Sequence, residues 1–399
     1  LGIFYLEGNM IRADSLIQST IASARNCGQS VHLVQTSSAW YYFLIHSENN
    51  DLYWQKSTNL GISWTSPVLI KGTITGAGLA VWYDRWTPGD TGNLVHLAFL
   101  ESVSNNVQYI TFNTLNDTVG SEVTVFDGAS IVVAVNTCLS VTKARGGNIY
   151  VAFDVDGGTE TGFYYSASGV SFSALTDVNE ATSDYYKLYP GNYADTQDID
   201  CAYWDRSANE LSLKVFDNSA NSWSEASIAT SMTAIASNVV CSQFDGTIRP
   251  SDGHLLLAAW SASDAANADL RCWDINGTAG IVEKTNVITD SVDDQGGCAI
   301  QLDTGTNNII VYYFGKSDGS ETAYTSMALY CKISTDGGAT WGSETLVNSM
   351  VKPLTWLHSC LTCTDEMYAA VFGGIAVTLI LLYATAAIPS KSPTYLIGV

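Results

Sequence analysis

Seven apolar runs of strand length recur along the 399 residues: WYYFLIH from Trp40, LVHLAFL from Leu94, IYVAFD from Ile149, IDCAYW from Ile199, LLLAAW from Leu255, IIVYYF from Ile309 and YAAVF from Tyr368. Their starts lie 54, 55, 50, 56, 54 and 59 residues apart. A period of this length marks units that cannot bury an apolar face alone and must stack on their neighbours. Around each run the same order returns: a short strand, the apolar run, a third strand such as DLYWQKS or ELSLKVF, a turn, and a short fourth strand such as SPVLI or SETLV. Val, Ile, Thr and Tyr are frequent while Lys and Glu are scarce, which favours strands over helices. Four antiparallel strands per unit is the plan of a propeller blade. The period therefore predicts an all-β chain, one seven-bladed β-propeller of four-stranded antiparallel blades, with blades over residues 20–72, 73–128, 129–178, 179–232, 233–290, 291–348 and 349–399. The last unit lacks a fourth strand, and IRADSLIQST at residues 11–20 is expected to supply it, joining the two ends of the chain and covering a sheet edge.

The turn after the third strand carries a pattern of its own. It is complete in STDGGATW, with Ser334, Asp336, Gly338, Thr340 and Trp341, and eroded in STNLGISW, with Ser57, Asn59, Gly61 and Trp64. An Asp or Asn side chain accepts bonds from backbone N–H groups ahead of it, Gly supplies a positive φ, and Trp offers a large face to a neighbouring blade. The chain thus resembles the BNR/Asp-box propellers of the sialidase-like superfamily over essentially its full length. Stretches such as GDTGNLVHLAF and GKSDGSETAYTS are also similar to sialidase-like propellers encoded by tailed phages. The resemblance implies that these turns mark the fold, on the face away from an active site.

The 22 uncharged residues MYAAVFGGIAVTLILLYATAAI, 367–388, are long enough for a membrane helix. The period places the seventh apolar run here, and Gly373-Gly374 suits a hairpin, so two strands and no membrane span are expected. The N-terminus shows no secretory leader and no Met, which points to a processed or trimmed chain. The balance of 17 Lys+Arg against 39 Asp+Glu, a net charge of −22, repels phosphate backbones and argues against nucleic acid as a partner. The nine cysteines sit mostly in apolar alternating runs and are expected as buried free thiols; a bridge from Cys27 to Cys360 or Cys363 is not expected. No cofactor is indicated. DVDGGTE at residues 154–160 suggests calcium by its acidity, but its spacing is not that of an EF-hand.

The sialidases that the chain resembles hold the substrate carboxylate with three arginines, and use a Tyr–Glu nucleophile pair and an Asp acid. The forked guanidinium explains the choice of Arg. Seven arginines exist here: Arg12, Arg25, Arg85, Arg145, Arg206, Arg249 and Arg271. Arg25 lacks the Ile-Pro that follows the family's first arginine, and Ile248-Arg249-Pro250 is reversed and in the fifth unit. By strand order Arg85, Arg145 and Arg249 follow first strands and Arg271 lies in a third strand. That leaves Arg25 and Arg206 on the face of the loops leaving second strands, one short of a triad. No catalytic residue is assigned and sialoside hydrolysis is not expected. Those loops are acidic, with Glu48, Glu101, Asp154, Asp156, Glu160, Asp205, Asp264 and Asp318, so a hydrolase needing only two carboxylates stays in view. The expected ligand face gathers Arg25, Glu101, Asp156, Tyr186, Asp205, Arg206 and Trp356, a mixture of carboxylates, guanidinium groups and aromatic rings that suits sugars. Two readings result: a binding or structural propeller on an extracellular or virion surface, recognising glycans or partner proteins, or a glycoside hydrolase of the sialidase-like superfamily with another specificity. The missing triad favours the first.

Overall fold

The computed structural model describes residues 4–6, 9–15, 31–46, 50–59, 63–101, 106–128, 138–155, 160–178, 185–205, 207–232, 243–261, 270–289, 297–318, 328–348, 354–363, 367–374 and 380–385. Within them the regular elements are all strands apart from one short 3-10 turn, Asp84–Trp86. The seven apolar runs are all second strands of sheets: Trp40–His46, Leu94–Glu101, Ile149–Val155, Ile199–Asp205, Leu255–Trp260, Ile309–Phe314 and Met367–Gly374. Leu255–Trp260 and Ile309–Phe314 are buried at every position, as a strand covered on both faces must be.

Six blades fold from one continuous stretch of chain each. Their innermost strands are Val31–Gln35, Ile74–Tyr83, Cys138–Lys143, Tyr185–Pro190, Phe244–Ile248 and Cys298–Asp303. This corrects the expectation of seven equivalent four-stranded blades to six. The seventh apolar run belongs to a different object, a five-stranded sheet assembled from both ends of the chain. Its order is Leu354–Ser359, Met367–Gly374, Ile380–Thr385, Asn9–Ser15 and Phe4–Leu6. Counting apolar runs counts second strands, and it cannot tell a self-contained blade from a composite sheet. Nor is four strands the rule. The second blade divides its outer position between Thr118–Val119 and Val123–Asp127, and the sixth adds Thr362–Cys363 parallel to its innermost strand. The composite sheet stands between the sixth blade and the first, its strand Leu354–Ser359 packing on Cys298–Asp303 and Val31–Gln35.

The apolar segment at 367–388 contributes strands, as expected: Met367–Gly374 pairs antiparallel with Ile380–Thr385, which pairs in turn with Asn9–Ser15. Among the described residues no helix is long and apolar enough to cross a membrane. The seven described cysteines are buried, and Cys27 lies outside the described residues.

Each blade presents two kinds of connection. Links from first to second strands, and from third to fourth, emerge on one side, the turn face. Links from second to third strands, and those entering first strands, emerge on the other, the mouth face. The turn face is stitched blade to blade. Tyr41 Oη donates to Thr114 O (2.8 Å), Thr87 Oγ1 to Lys143 O (2.7 Å) and Tyr150 Oη to Gln197 O (2.9 Å). Asn192 Nδ2 donates to Asn276 Oδ1 (3.2 Å) and Thr285 Oγ1 to Ala339 O (2.7 Å). These bonds join blades one to six in order, each contributing about 1 kcal/mol.

The turns after third strands are part of this stitching. Asp336 accepts from Thr340 N (2.8 Å) and Thr340 Oγ1 (2.6 Å), and Ser334 Oγ donates to Asp336 Oδ1 and accepts from Gly338 N (both 2.8 Å). These bonds take the Asp336 carboxyl down to about 2. Gly337 and Gly338 hold φ of 72° and 88°, where a Cβ would be strained. The Trp341 indole then donates to Thr285 O of the fifth blade (2.8 Å). Trp223 makes the equivalent bond to Thr176 O of the third (2.9 Å). In the first blade Asn59 Oδ1 accepts from Ser63 N (2.9 Å) as Asp336 does from Thr340 N, but its amide Nδ2 donates to Ser63 Oγ (2.9 Å), and Trp64 packs edge-on to Tyr42. Gly61 lies outside the described residues.

Candidate ligand-binding face

The innermost strands surround a channel, and a charged pair sits in it. Lys187, in the apolar strand Tyr185–Pro190, extends to the fifth blade, where its ammonium meets Asp245 Oδ1 (2.9 Å) and Phe244 O (3.0 Å) and lies over the Phe244 ring. Asp245 Oδ2 also accepts from Ile300 N (3.2 Å). His32 Nε2 bonds to Leu79 O (2.9 Å). A carbonyl can only accept, so that nitrogen carries the proton. Burial takes the His32 pKa down to about 4, so the ring is neutral at ordinary pH. The cavity among these residues, Ser140, Tyr189 and Ser359, has a volume of about 80 Å³. Ligand pockets run to roughly 300–1,000 Å³. A cavity of this size accommodates water and is too small for a sugar ring.

On the mouth face the structure describes three of the seven expected ligand residues in full. Glu101 ends the second strand of blade two and is 9% exposed. Lys71 of blade one pairs with it (2.8 Å) and also with Glu122 (2.8 Å), and Gln108 Nε2 donates to it (3.3 Å). Asp205 ends the second strand of blade four and accepts from Ala208 N (2.9 Å) and Ser207 Oγ (2.8 Å). Those bonds hold it below the usual carboxylate range, although partial burial opposes them. Directly across the hairpin stands Glu210, in register with Asp205. Opposed like charges destabilise a sheet pair by up to about 1 kcal/mol. Tyr186, second residue of its strand, is 1% exposed in the core, where burial pushes its phenol well up. Arg25, Asp156 and Arg206 lie outside the described residues. Trp356 is placed only by its backbone, in Leu354–Ser359 opposite Gly373.

The turn face holds most of the remaining arginines. Arg85 donates to Gly92 O (3.2 Å) and Asn93 Oδ1 (2.9 Å). Arg145 crosses to blade four and donates to Gly191 O (2.9 Å) and Tyr193 O. Arg249 donates to Asp252 (2.9 Å) and Asp274 (3.1 Å), and His254 Nδ1 bonds the second oxygen of Asp274 (2.6 Å). Arg271, in a third strand, pairs with Glu283 (2.7 and 2.8 Å) and stacks on Trp273.

Beneath this face, blades two and three share a buried network. Tyr109 Oη meets His96 Nδ1 (2.5 Å), and His96 Nε2 donates to Asp84 Oδ1 (2.9 Å). Asp84 also binds Lys143 Nζ (2.6 Å) and accepts from Leu94 N (2.8 Å). Burial raises the Asp84 pKa, but the His96 and Lys143 bonds outweigh it and bring it to about 2. Sequence reasoning missed this network and the Lys187–Asp245 pair. The signal was there: a lone charge inside YYKLYP, FDGTI and LVHLAFL, where every neighbour is apolar or small. Among the described residues no group of His, Cys, Asp and Glu is arranged to hold a metal.

No known protein family matches the chain, and no curated protein matches it in sequence. Solved structures do match. A polysaccharide lyase of family PL25, an ulvan lyase bound to -[GlcA(1-4)Rha3S]-, aligns with a TM-score of 0.54 and 10% identity, over 94% of this chain and 96% of that one. Hydrazine synthase of Kuenenia stuttgartiensis aligns at 0.53 and 9%, over 96% and 100%. The Hadza microbial sialidase Hz136 aligns at 0.46 and 13%, over 90% and 65%. At such identities the likeness is one of fold, and the fold is an all-β propeller.

Proposed function

We propose that the chain is a glycan-binding propeller that takes its ligand at the mouth face and does not hydrolyse sialosides. One observation carries this reading. All four arginines whose side chains are described, Arg85, Arg145, Arg249 and Arg271, are committed to internal carbonyls, amides or carboxylates. Arg12 sits in the composite sheet, in register with Tyr383. Arg25 and Arg206 remain, too few to clamp a carboxylate three ways. Glycan binding is supported by the acidic, hydrogen-bonding hairpin end at Asp205, which suits sugar hydroxyls, and by the carbohydrate-acting neighbours of the fold. The reading includes exposure on a cell or virion surface, which rests on the resemblance of the repeats to phage-encoded propellers.

A glycan array on the purified chain, run beside a panel of fluorogenic glycosides, tests it. Binding without turnover is the expected result. Turnover of a sialoside, abolished by Arg25→Ala, overturns the reading. Turnover of another glycoside, lost in Asp205→Asn, replaces it with a hydrolase.

A further inference from the structure

We propose that the link between the first and second strands of blade four, residues 191–198, is a pH-sensitive seam. It locks blades three, four and five together while the buried carboxyl of Asp200 keeps its proton, and it opens locally once that carboxyl ionises. This holds independently of the glycan reading.

The link holds both neighbours of its blade. Toward blade three, Arg145 donates to Gly191 O (2.9 Å) and to Tyr193 O, Gly146 N to Thr196 O (2.7 Å), and Asn148 N to Gln197 Oε1 (3.0 Å). Gln197 Nε2 returns a bond to Gly146 O (2.8 Å). Toward blade five, Asn192 Nδ2 donates to Asn276 Oδ1 (3.2 Å), and the Tyr193 ring lies on Gly277, where a Cβ would come within 3.0 Å of it. A Cβ at Gly191 would run into the same ring. Two glycines, one from each blade, thus make the seat of Tyr193. From that seat its hydroxyl donates to Asp200 Oδ1.

Asp200 stands in the second strand of blade four and is 2% exposed, flanked in register by Tyr189 and Val215. Its bonding partner is a neutral phenol. The charge that acts on it, Asp198, has the same sign, and Arg145 is committed to backbone carbonyls. A buried carboxylate without a cation is costly, so the closed seam holds the proton. Burial lifts the Asp200 pKa to about 7, with the Tyr193 bond opposing and Asp198 assisting. Tyr189, Tyr193 and Cys201 around it are pushed up by burial and stay neutral across that range. Asp198 is itself raised by burial, although Asn218 N donates to it (2.8 Å). Once the link lifts, water reaches Asp200 and its ordinary pKa of 3.8 returns. Between these two values the open form binds fewer protons than the closed one, so opening is favoured as pH rises from about 4 to 7 and levels off above. Each pH unit in that window multiplies the open population by about ten.

Amide hydrogen exchange on the intact chain, corrected for the intrinsic rate at each pH, reads the opening directly. The reporters are the N–H groups of Gly146, Asn148 and Gln197, which bond within the seam, and the reference is the blade-six strand Ile309–Phe314. Protection at the seam should fall about tenfold per pH unit between about pH 4 and 7, level off above, and stay below that of the reference strand. Asp200→Asn, which carries no charge at any pH, should make seam protection independent of pH. Tyr193→Phe removes the bond that opposes the lift, so the fall should continue above about pH 7. Constant protection from pH 4 to 7 in the native chain overturns the proposal. So does a seam as protected as Ile309–Phe314, because opening would then be global unfolding. A pH dependence that survives in Asp200→Asn takes the switch away from Asp200 and overturns it too. Where Asp200→Asn does not fold, Tyr193→Phe decides: an unshifted levelling point is the contradicting result.

Discussion

The turn face and the mouth face of this propeller are built from the same hairpins, yet they differ in how they use polar side chains, although Lys71 and Glu101 join blades one and two on the mouth face as well (2.8 Å). On the turn face, Arg145 reaches the Gly191 and Tyr193 carbonyls of the next blade, Arg249 is held by two aspartates, and Trp341 donates to Thr285. On the mouth face, Asp205 stands opposite Glu210 with its bonds confined to its own hairpin. A polar group that bonds across blades contributes to stability. One bonded only within its own hairpin and held against a like charge contributes less to stability, and on the proposed reading it is the one offered to a ligand. The contrast separates the part of the molecule that closes the ring from the part offered to partners.

Substitutions should divide along that line. The largest effect is expected for Asp84→Ala, which leaves His96 Nε2 without its carboxylate in a buried site, while Lys143 keeps its pair with Asp90 (2.7 Å). Removing one partner of a buried charge network costs about 3–5 kcal/mol, and chemical denaturation should show that loss. The same network gives acid sensitivity. The Asp84 pKa is lowered to about 2 from an ordinary 3.8, so its contribution is full above about pH 4 and is lost as pH falls towards 2. Asp84→Asn should flatten the stability curve there.

Asp200 is expected to act with the opposite sign, and nearly as strongly. It is buried beside the Tyr193 hydroxyl, and burial lifts its pKa to about 7. Its proton favours the folded chain, so its contribution is full below about pH 4 and is lost as pH rises through 7. Melting temperature should fall between about pH 4 and 7, and Asp200→Asn should reduce that slope. Loss of a single stitch is smaller. Trp341→Phe keeps the ring and removes the bond to Thr285, which should cost about 1 kcal/mol. Least of all, Asp205→Asn should shift stability by under about 1 kcal/mol, because relief of repulsion with Glu210 offsets a weakened turn.

How much of this was legible beforehand differs between the two faces for a physical reason. The strand order could be read because a strand covered on both faces is mostly apolar, and each of the seven runs is a second strand. The blade number could not: YAAVF looks like LLLAAW, whether its sheet is one hairpin stack or a composite closed by Asn9–Ser15. The bonding of Asp336 follows from a fixed local spacing, whereas the Trp341 indole reaches back to Thr285 of the neighbouring blade, which no local pattern gives. Tyr186 was not legible, since one step in strand phase decides between a core ring and a mouth ring, and here it is in the core. Lys187 and Asp245 form their pair across 58 residues, beyond any local pattern.

The central claim is that ligands are taken where charges are uncommitted and not where they stitch the ring. The most direct measurement pairs Asp205→Ala with Arg249→Ala, recording melting temperature and affinity for whichever glycan the intact protein binds. The account predicts that Asp205→Ala loses about tenfold or more in affinity with its melting temperature nearly kept, as expected for a lost charged hydrogen bond of about 1.5–3 kcal/mol. Arg249→Ala should lower the melting temperature by several degrees and leave the affinity of the folded protein unchanged. Lost binding in Arg249→Ala together with unchanged binding in Asp205→Ala would contradict it and move the ligand to the turn face.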